Sequence, residues 1–288
     1  MKKYFSLVLF AHSIFALPFA MIGFFLGVTT TDQPFSWVKF VLVLLCMVFA
    51  RNAAMAFNRY LDRDIDAKNP RTQMRDIPAG KIAASNALIF VIVNCILFVA
   101  ATAFINMLCF YLSPIALFVV LFYSYTKRFT ALCHLVLGLG LSLAPIGAYI
   151  AVTGEFHILP VMYSLAVLFW VSGFDIIYAL QDEDFDKSEK LHSIPATLGI
   201  RNALRLSELL HVCSALCVII PIYFLAFSWP YYIGVAFFCS MLIYQHLLVK
   251  PNDISRVNRA FATTNGYASV VFAICFLTDV FIRTHFNF

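Results

Sequence analysis

The feature that most limits what this chain can become is a succession of apolar stretches, each separated from the next by a short polar connection. Stretches of about 18 or more apolar residues reach across a bilayer core of roughly 30 Å, where a helix satisfies its own backbone polar groups. Nine such spans are predicted, at about 4–29, 36–57, 83–105, 107–125, 131–152, 159–181, 204–226, 229–249 and 260–282. The expected fold is an all-α polytopic membrane protein, a bundle of nine transmembrane helices built as one domain from residues 1–288. Only 12% of the residues are charged, against about 25% in soluble domains, which excludes an ordinary soluble enzyme. The first apolar run is too long for a signal peptide and lacks a small-residue cleavage site, so it is read as a helix.

Lysine and arginine accumulate in cytoplasmic loops. With the N-terminus inside, all of the 20 Lys and Arg except Lys39 and Arg283 fall on the cytoplasmic side or at its membrane edge. The net charge of +5 follows from that asymmetry and from an anionic membrane surface or substrate, and calls for no nucleic-acid partner. The eight cysteines lie inside the spans without a CxxC pair, so they read as buried apolar thiols.

Two of the cytoplasmic connections are dense in both signs of charge. The first runs from Asn58 through Asp62 and Asp66 to Arg71-Thr72 and Arg75-Asp76-Ile77-Pro78-Ala79-Gly80; the second runs from Asp182 and Asp186 to His192-Ser193-Ile194-Pro195-Ala196. At 100° per residue, Arg51, Asn58, Asp62 and Asp66 fall at about 0°, −20°, 20° and 60°, and Asp175, Tyr178, Asp182 and Asp186 at about 0°, −60°, −20° and 20°. Each set shares one helical face if the helices continue past the membrane. A solvated helix end accounts for Lys68, Glu183, Asp184, Glu189 and Lys190, but not for carboxylates repeated at four-residue spacing in two positive-inside loops. Both carboxylate pairs precede an Ile-Pro-Ala segment at a similar interval, which predicts two pseudo-repeated four-helix halves with the loops facing each other and a cytoplasmic-facing active site. Arg51 and Asp175 lie within apolar spans, where an ionisable side chain normally faces a cavity or a partner.

Paired aspartates without histidine or thiolate partners select hard cations, and magnesium takes one or two carboxylates together with waters and phosphate oxygens. Arg59, Arg71, Arg75, Lys127, Arg128 and Lys187 offer positive charge around a diphosphate. A greasy substrate with a diphosphate head, such as an allylic diphosphate, meets both demands: metal and cations stabilise the departing pyrophosphate, and apolar walls keep water from the allylic cation.

In these residues the chain resembles the UbiA-type membrane prenyltransferases over essentially its whole length. Their Asn-Asp-x-x-Asp-x-x-x-Asp signature is matched by Asn58, Asp62 and Asp66, with Arg59 in place of the usual second aspartate; their second Asp-x-x-x-Asp, after a Tyr-Ala pair, is matched by Asp182 and Asp186 after Tyr178-Ala179. The Tyr-x-x-x-Lys-Arg run at Tyr123, Lys127 and Arg128 and the Arg71-Thr72 pair match as well. The resemblance implies that Asn58, Asp62, Asp66, Asp182 and Asp186 hold Mg2+, that Lys127 and Arg128 hold diphosphate, and that Arg51 is a cavity arginine near donor and acceptor. Segments such as Ser-Tyr-Thr-Lys-Arg-Phe-Thr and Gly-Phe-Asp-Ile-Ile-Tyr-Ala-Leu-Gln-Asp look most like bacterial 4-hydroxybenzoate polyprenyltransferases, including the branch that prenylates a hydroxynaphthoate. They imply a polyprenyl diphosphate donor, an aromatic acid acceptor, a place in quinone biosynthesis and a seat in the bacterial inner membrane.

His12 is either an interior histidine or a partner of the acceptor carboxylate. Tyr178 either packs in the core or lines the cation's pocket. Asp175 is a proton acceptor, a partner of Arg51 or a structural group, and His134 is read as structural. Other acceptors, such as haem or another lipid-quinone precursor, stay open within the family. From other classes, an ion-coupled transporter would place its acidic groups near the bilayer midplane, and a quinone-binding subunit without chemistry would need no metal-type motifs.

Overall fold

The structure is a computed structural model that describes residues 15–31 and 34–286. His12 therefore lies outside the described residues. Those residues form the helices α1 (Leu17–Thr30), α2 (Trp37–Leu61), α3 (Arg63–Lys68), α4 (Ala84–Ile105), α5 (Met107–Thr126), α6 (Cys133–Thr153), α7 (Ile158–Ala179), α8 (Glu183–Ser188), α9 (Ile194–Ile219), α10 (Trp229–Leu248) and α11 (Asn265–Phe286). Among the described residues, 8 helical segments are long and apolar enough to cross a membrane, and α1 is a shorter apolar helix.

Helix ends follow local chemistry. Pro18, Pro195 and Pro230 stand in first turns, where a missing N–H costs nothing. Asn106 alone separates α4 from α5: it is fully extended, and its side chain accepts from the Cys109 amide at 2.8 Å. Gly154 closes α6 in the left-handed region at φ 74°.

In the bundle, α7 packs against α6 and α9, α2 against α4, α1 against α6, and α10 against α11. Lipid offers helices no hydrophobic reason to associate, so close approach through small residues and buried polar bonds does that work. A Cβ on Gly23 would stand 1.9 Å from the Pro145 carbonyl oxygen, which shows how tightly α1 lies on α6. Trp170 of α7 donates its indole N–H to Asn265 Oδ1 at 2.8 Å, and Gln245 of α10 donates to the same oxygen at 2.7 Å. One amide thus ties three helices, around a core in which Phe19, Trp170, Phe238 and Phe272 are buried.

The structure corrects two expectations of helical continuity. The helix carrying Asn58 does not run unbroken to Asp66: α2 stops at Leu61, Asp62 turns at φ −89° and ψ 3°, and α3 starts at Arg63. The helix carrying Asp175 behaves alike, with a 3-10 turn over Leu180–Asp182 and Asp182 at φ −107° and ψ 6° before α8. Both breaks fall on the first aspartate of a pair, a short polar side chain that favours such junctions. The expected span at 204–226 begins earlier, at Ile194, and bends at Gly199, whose φ of 74° suits glycine alone without strain.

Candidate functional site

The breaks in α2 and α7 bring both acidic loops to one end of the bundle, where they touch. From the first loop, Asn69 Nδ2 donates to Asp182 Oδ1 at 3.0 Å, and Arg71 grips Asp182 through Nε at 2.9 Å and through Nη2. Lys68 pairs with Glu189 of the second at 2.6 Å. The backbone agrees, since the His192 amide donates to the Lys127 carbonyl at 2.7 Å and docks the second loop on the end of α5.

Between the loops lies a cavity of about 300 Å3 whose walls include Asn58, Arg59, Asp62, Asp66, Arg71, Arg75, Tyr123, Lys127, Asp175, Tyr178, Asp182 and Asp186. Three of the four paired aspartates are held by cations. Asp62, at 2% side-chain exposure, receives Lys127 Nζ at 2.6 Å, Arg128 Nη2 at 3.0 Å and Asn58 Nδ2 at 3.0 Å. Asp66 receives Arg75 Nη1 at 2.7 and 2.9 Å on its two oxygens. Asp182 has Arg71, whose guanidinium burial would lower its pKa but whose bonds to Asp182 and Tyr178 hold it raised, so it stays charged. Buried carboxylates tolerate desolvation only with such partners.

Arg59 differs. It lines the same cavity, and its Nη1 is buried with no hydrogen-bond partner. A buried charged donor without an acceptor suits a site that accepts an anion.

Below the charged mouth the wall becomes aromatic. Tyr178, which accepts from Arg71 Nη1 at 2.9 Å, lies on Phe261 with ring centroids 4.2 Å apart; Phe261 in turn meets Phe15 and Phe174 at 5.6 and 5.4 Å.

Most residues singled out in the sequence therefore meet in one place. Lys187 does not: its ammonium turns to Glu183 at 2.6 Å and its side chain is 50% exposed, away from the cavity wall. It binds its own helix because Glu183 stands one turn before it. Arg51 lies deeper along α2 in the electrostatic reach of Tyr123. Arg128 acts on the cavity through Asp62 rather than lining it. Sequence reasoning gave no site role to three residues that the structure places here. Asn69 reaches across to Asp182, Thr72 Oγ1 donates to the Asp66 carbonyl at 3.1 Å, and His134, read as structural, lines the cavity with Nδ1 2.7 Å from Asp175 Oδ2. A histidine one turn into a span and facing an intramembrane aspartate was the available signal for the last.

Oxygen donors, cations and an aromatic floor at one end of a transmembrane bundle define an integral membrane protein built to receive a charged head on an apolar body. The chain belongs to the UbiA prenyltransferase family, whose model matches residues 16–272, and is a prenyltransferase. A relative from Tolumonas auensis named 4-hydroxybenzoate octaprenyltransferase is 30% identical over 235 residues, 81% of this chain and 82% of the relative. One of the same name from Cupriavidus pinatubonensis is 29% identical over 240 residues, 81% and 83% of the two chains. The apo structure of a UbiA homolog from Aeropyrum pernix K1 superposes with a TM-score of 0.79 at 29% identity, covering 95% of this chain and 98% of that one. A UbiA homolog from Archaeoglobus fulgidus bound to DMAPP and Mg2+ has a TM-score of 0.77 at 20% identity over 97% and 99%, a likeness of fold.

Proposed function

We propose that this chain catalyses Mg-dependent transfer of a polyprenyl group from an allylic polyprenyl diphosphate to an aromatic acid, 4-hydroxybenzoate or a related hydroxynaphthoate, in quinone biosynthesis. The observation that carries the reading is the cavity's charge pattern: carboxylates paired with arginine and lysine beside the unpartnered Nη1 of Arg59. The relatives named 4-hydroxybenzoate octaprenyltransferase support the acceptor class. The Archaeoglobus structure, bound to DMAPP and Mg2+, supports the donor and the metal.

The residues fit magnesium. The donors are hard oxygens, from Asn58, Asp62, Asp66, Asp182 and Asp186, and all five residues line the one cavity. That suits an ion which keeps waters and phosphate oxygens in its shell. Bound there, it would neutralise the diphosphate and make pyrophosphate a better leaving group.

The remaining work belongs to the protein. Arg59, Arg71 and Lys127 hold diphosphate oxygens and stabilise negative charge as the allylic C–O bond breaks, and Arg128 supports them by holding Asp62. Tyr178, Tyr123 and the phenylalanines behind them exclude water and present aromatic faces to the allylic cation. The acceptor ring attacks that cation, and Asp175 takes the ring proton. Arg51 and His12 remain the acceptor-side candidates.

The same reading makes α1 the outer, C-terminal part of the first of nine transmembrane helices. The matching breaks at Asp62 and Asp182 support two related halves. The N-terminus and both loops face the cytoplasm, in the inner membrane of a bacterium.

The test is to incubate purified protein in detergent with Mg2+, labelled polyprenyl diphosphate and a panel of aromatic acids. Prenylated acid and pyrophosphate are expected in equal amounts from the wild type. Turnover that survives EDTA, or no product from any aromatic acid, would overturn the proposal.

A further inference from the structure

The cavity contains a second arrangement, deeper than the metal-type carboxylates. His134 stands in the first turn of α6, with its side chain 4% exposed, and Asp175 in α7, with its side chain 22% exposed toward the cavity. Two contacts of the His134 ring fix its orientation. Its Nδ1 is 2.7 Å from Asp175 Oδ2, and its Nε2 is 3.3 Å from the amide nitrogen of Ile194.

A backbone amide only donates, so Nε2 carries the lone pair and the proton of the neutral ring sits on Nδ1, pointed at Asp175. Ile194 is the first residue of α9, and its N–H is one of the donors that a helix start leaves without an intrahelical acceptor. The start of α9 thereby fixes which histidine nitrogen is protonated. The contact fixes Asp175 in turn, because Oδ2 is engaged while the side chain lines the cavity.

We infer that His134 is a positioning residue for the base: through its Nδ1–H it holds the Asp175 carboxylate in the orientation that receives the ring proton. This rests on the aromatic-acceptor reading. The step balances without a co-reactant. The allylic C–O bond breaks with its electron pair leaving on pyrophosphate, and a ring carbon forms the new C–C bond. The proton on that carbon passes to Asp175 Oδ1, and the C–H electron pair restores aromaticity. Asp175 then loses the proton to water at the cavity mouth.

The contact geometry separates a positioning role from a merely structural one. An asparagine amide reaches where Nδ1 does and can donate to Asp175, but falls short of Ile194. A glutamine reaches where Nε2 does and can cap the Ile194 amide, but misses Asp175. The enzyme is assayed with acceptor carrying hydrogen or deuterium at the ring position that is prenylated, and pyrophosphate release without acceptor is followed in parallel.

His134→Ala and His134→Gln are expected to lose about 100-fold in kcat, the typical worth of a well-placed general base. They should gain a primary isotope effect that the wild type lacks, with unchanged donor KM and acceptor-independent pyrophosphate release. His134→Asn should recover most of the rate and suppress the isotope effect. Recovery by glutamine and not by asparagine, or a slower alanine variant without an isotope effect, overturns the inference while leaving the prenyltransferase reading intact. A wild type that prenylates no aromatic acid fails the reading itself.

Discussion

Arg59 is the residue whose environment asks most for a ligand. A guanidinium inside a membrane protein loses most of its water, and here one nitrogen has not been given a replacement acceptor. Hydrogen bonds between charged groups contribute about 1.5–3 kcal/mol each. Arg59→Ala is therefore expected to raise the donor KM by roughly 10-fold to 100-fold, and Arg59→Lys to recover part of it, read in steady-state kinetics at saturating acceptor. Lys187 supplies the contrast. Its one ion pair among the described residues is an exposed i,i+4 contact with Glu183, which solvent screens, so Lys187→Ala should leave kcat and both KM values unchanged. Asp62 is the third case, because it is enclosed by Lys127, Arg128 and Asn58. Asp62→Asn keeps the shape and removes the charge, and product formation should fall by at least about 100-fold, as when a preorganised electrostatic partner is lost. Sequence spacing picked out Arg59, Asp62 and Lys187 alike. It could not separate them, since Lys187 differs only in finding Glu183 nearer than the cavity.

At the scale of elements, the legible part was periodic and the illegible part was directional. Apolar run length located α2, α4, α5, α6, α7 and α10 to within a few residues, because the bilayer imposes that length. Helical phase placed Asp62 and Asp66 on one face for a reason that does not hold across the break at Asp62. They line one cavity because Lys127, Arg128 and Arg75 pull them there from other elements. Asn69 and His134 were not legible as site residues, since each depends on a contact more than 40 positions away in the chain. Close helix approach was equally hidden. Gly23 lies in an unremarkable apolar run, yet its missing side chain lets α1 rest on the Pro145 carbonyl. Gly23→Leu should destabilise the bundle by about 1–3 kcal/mol, the usual cost of overpacking. It should appear as a lower midpoint in detergent thermal unfolding, with activity per folded molecule little changed because the cavity is lined by other helices.

For the whole molecule, the decisive matter is which side of the membrane the charged cavity opens to. A carrier must expose its acidic groups to both sides in turn and so keeps them near the middle of the bilayer. Here the carboxylates sit on loops beyond the ends of α2 and α7, tied to each other by Arg71–Asp182 and Lys68–Glu189. An enzyme of that shape works from one face only. In the proposed orientation, which rests on the Lys and Arg distribution, that face is the cytoplasmic one, and a diphosphate head cannot cross the hydrocarbon core unaided. Inverted membrane vesicles, with the cytoplasmic face outward, should therefore convert an added short water-soluble allylic diphosphate at once. EDTA outside the vesicle should stop them, since magnesium reaches the carboxylates only from that face. Right-side-out vesicles given the same donor should make no product until permeabilised, and then match the inverted ones. If intact right-side-out vesicles were active, the cavity would open to the other side, and the positive charge around it would serve the substrate rather than report topology.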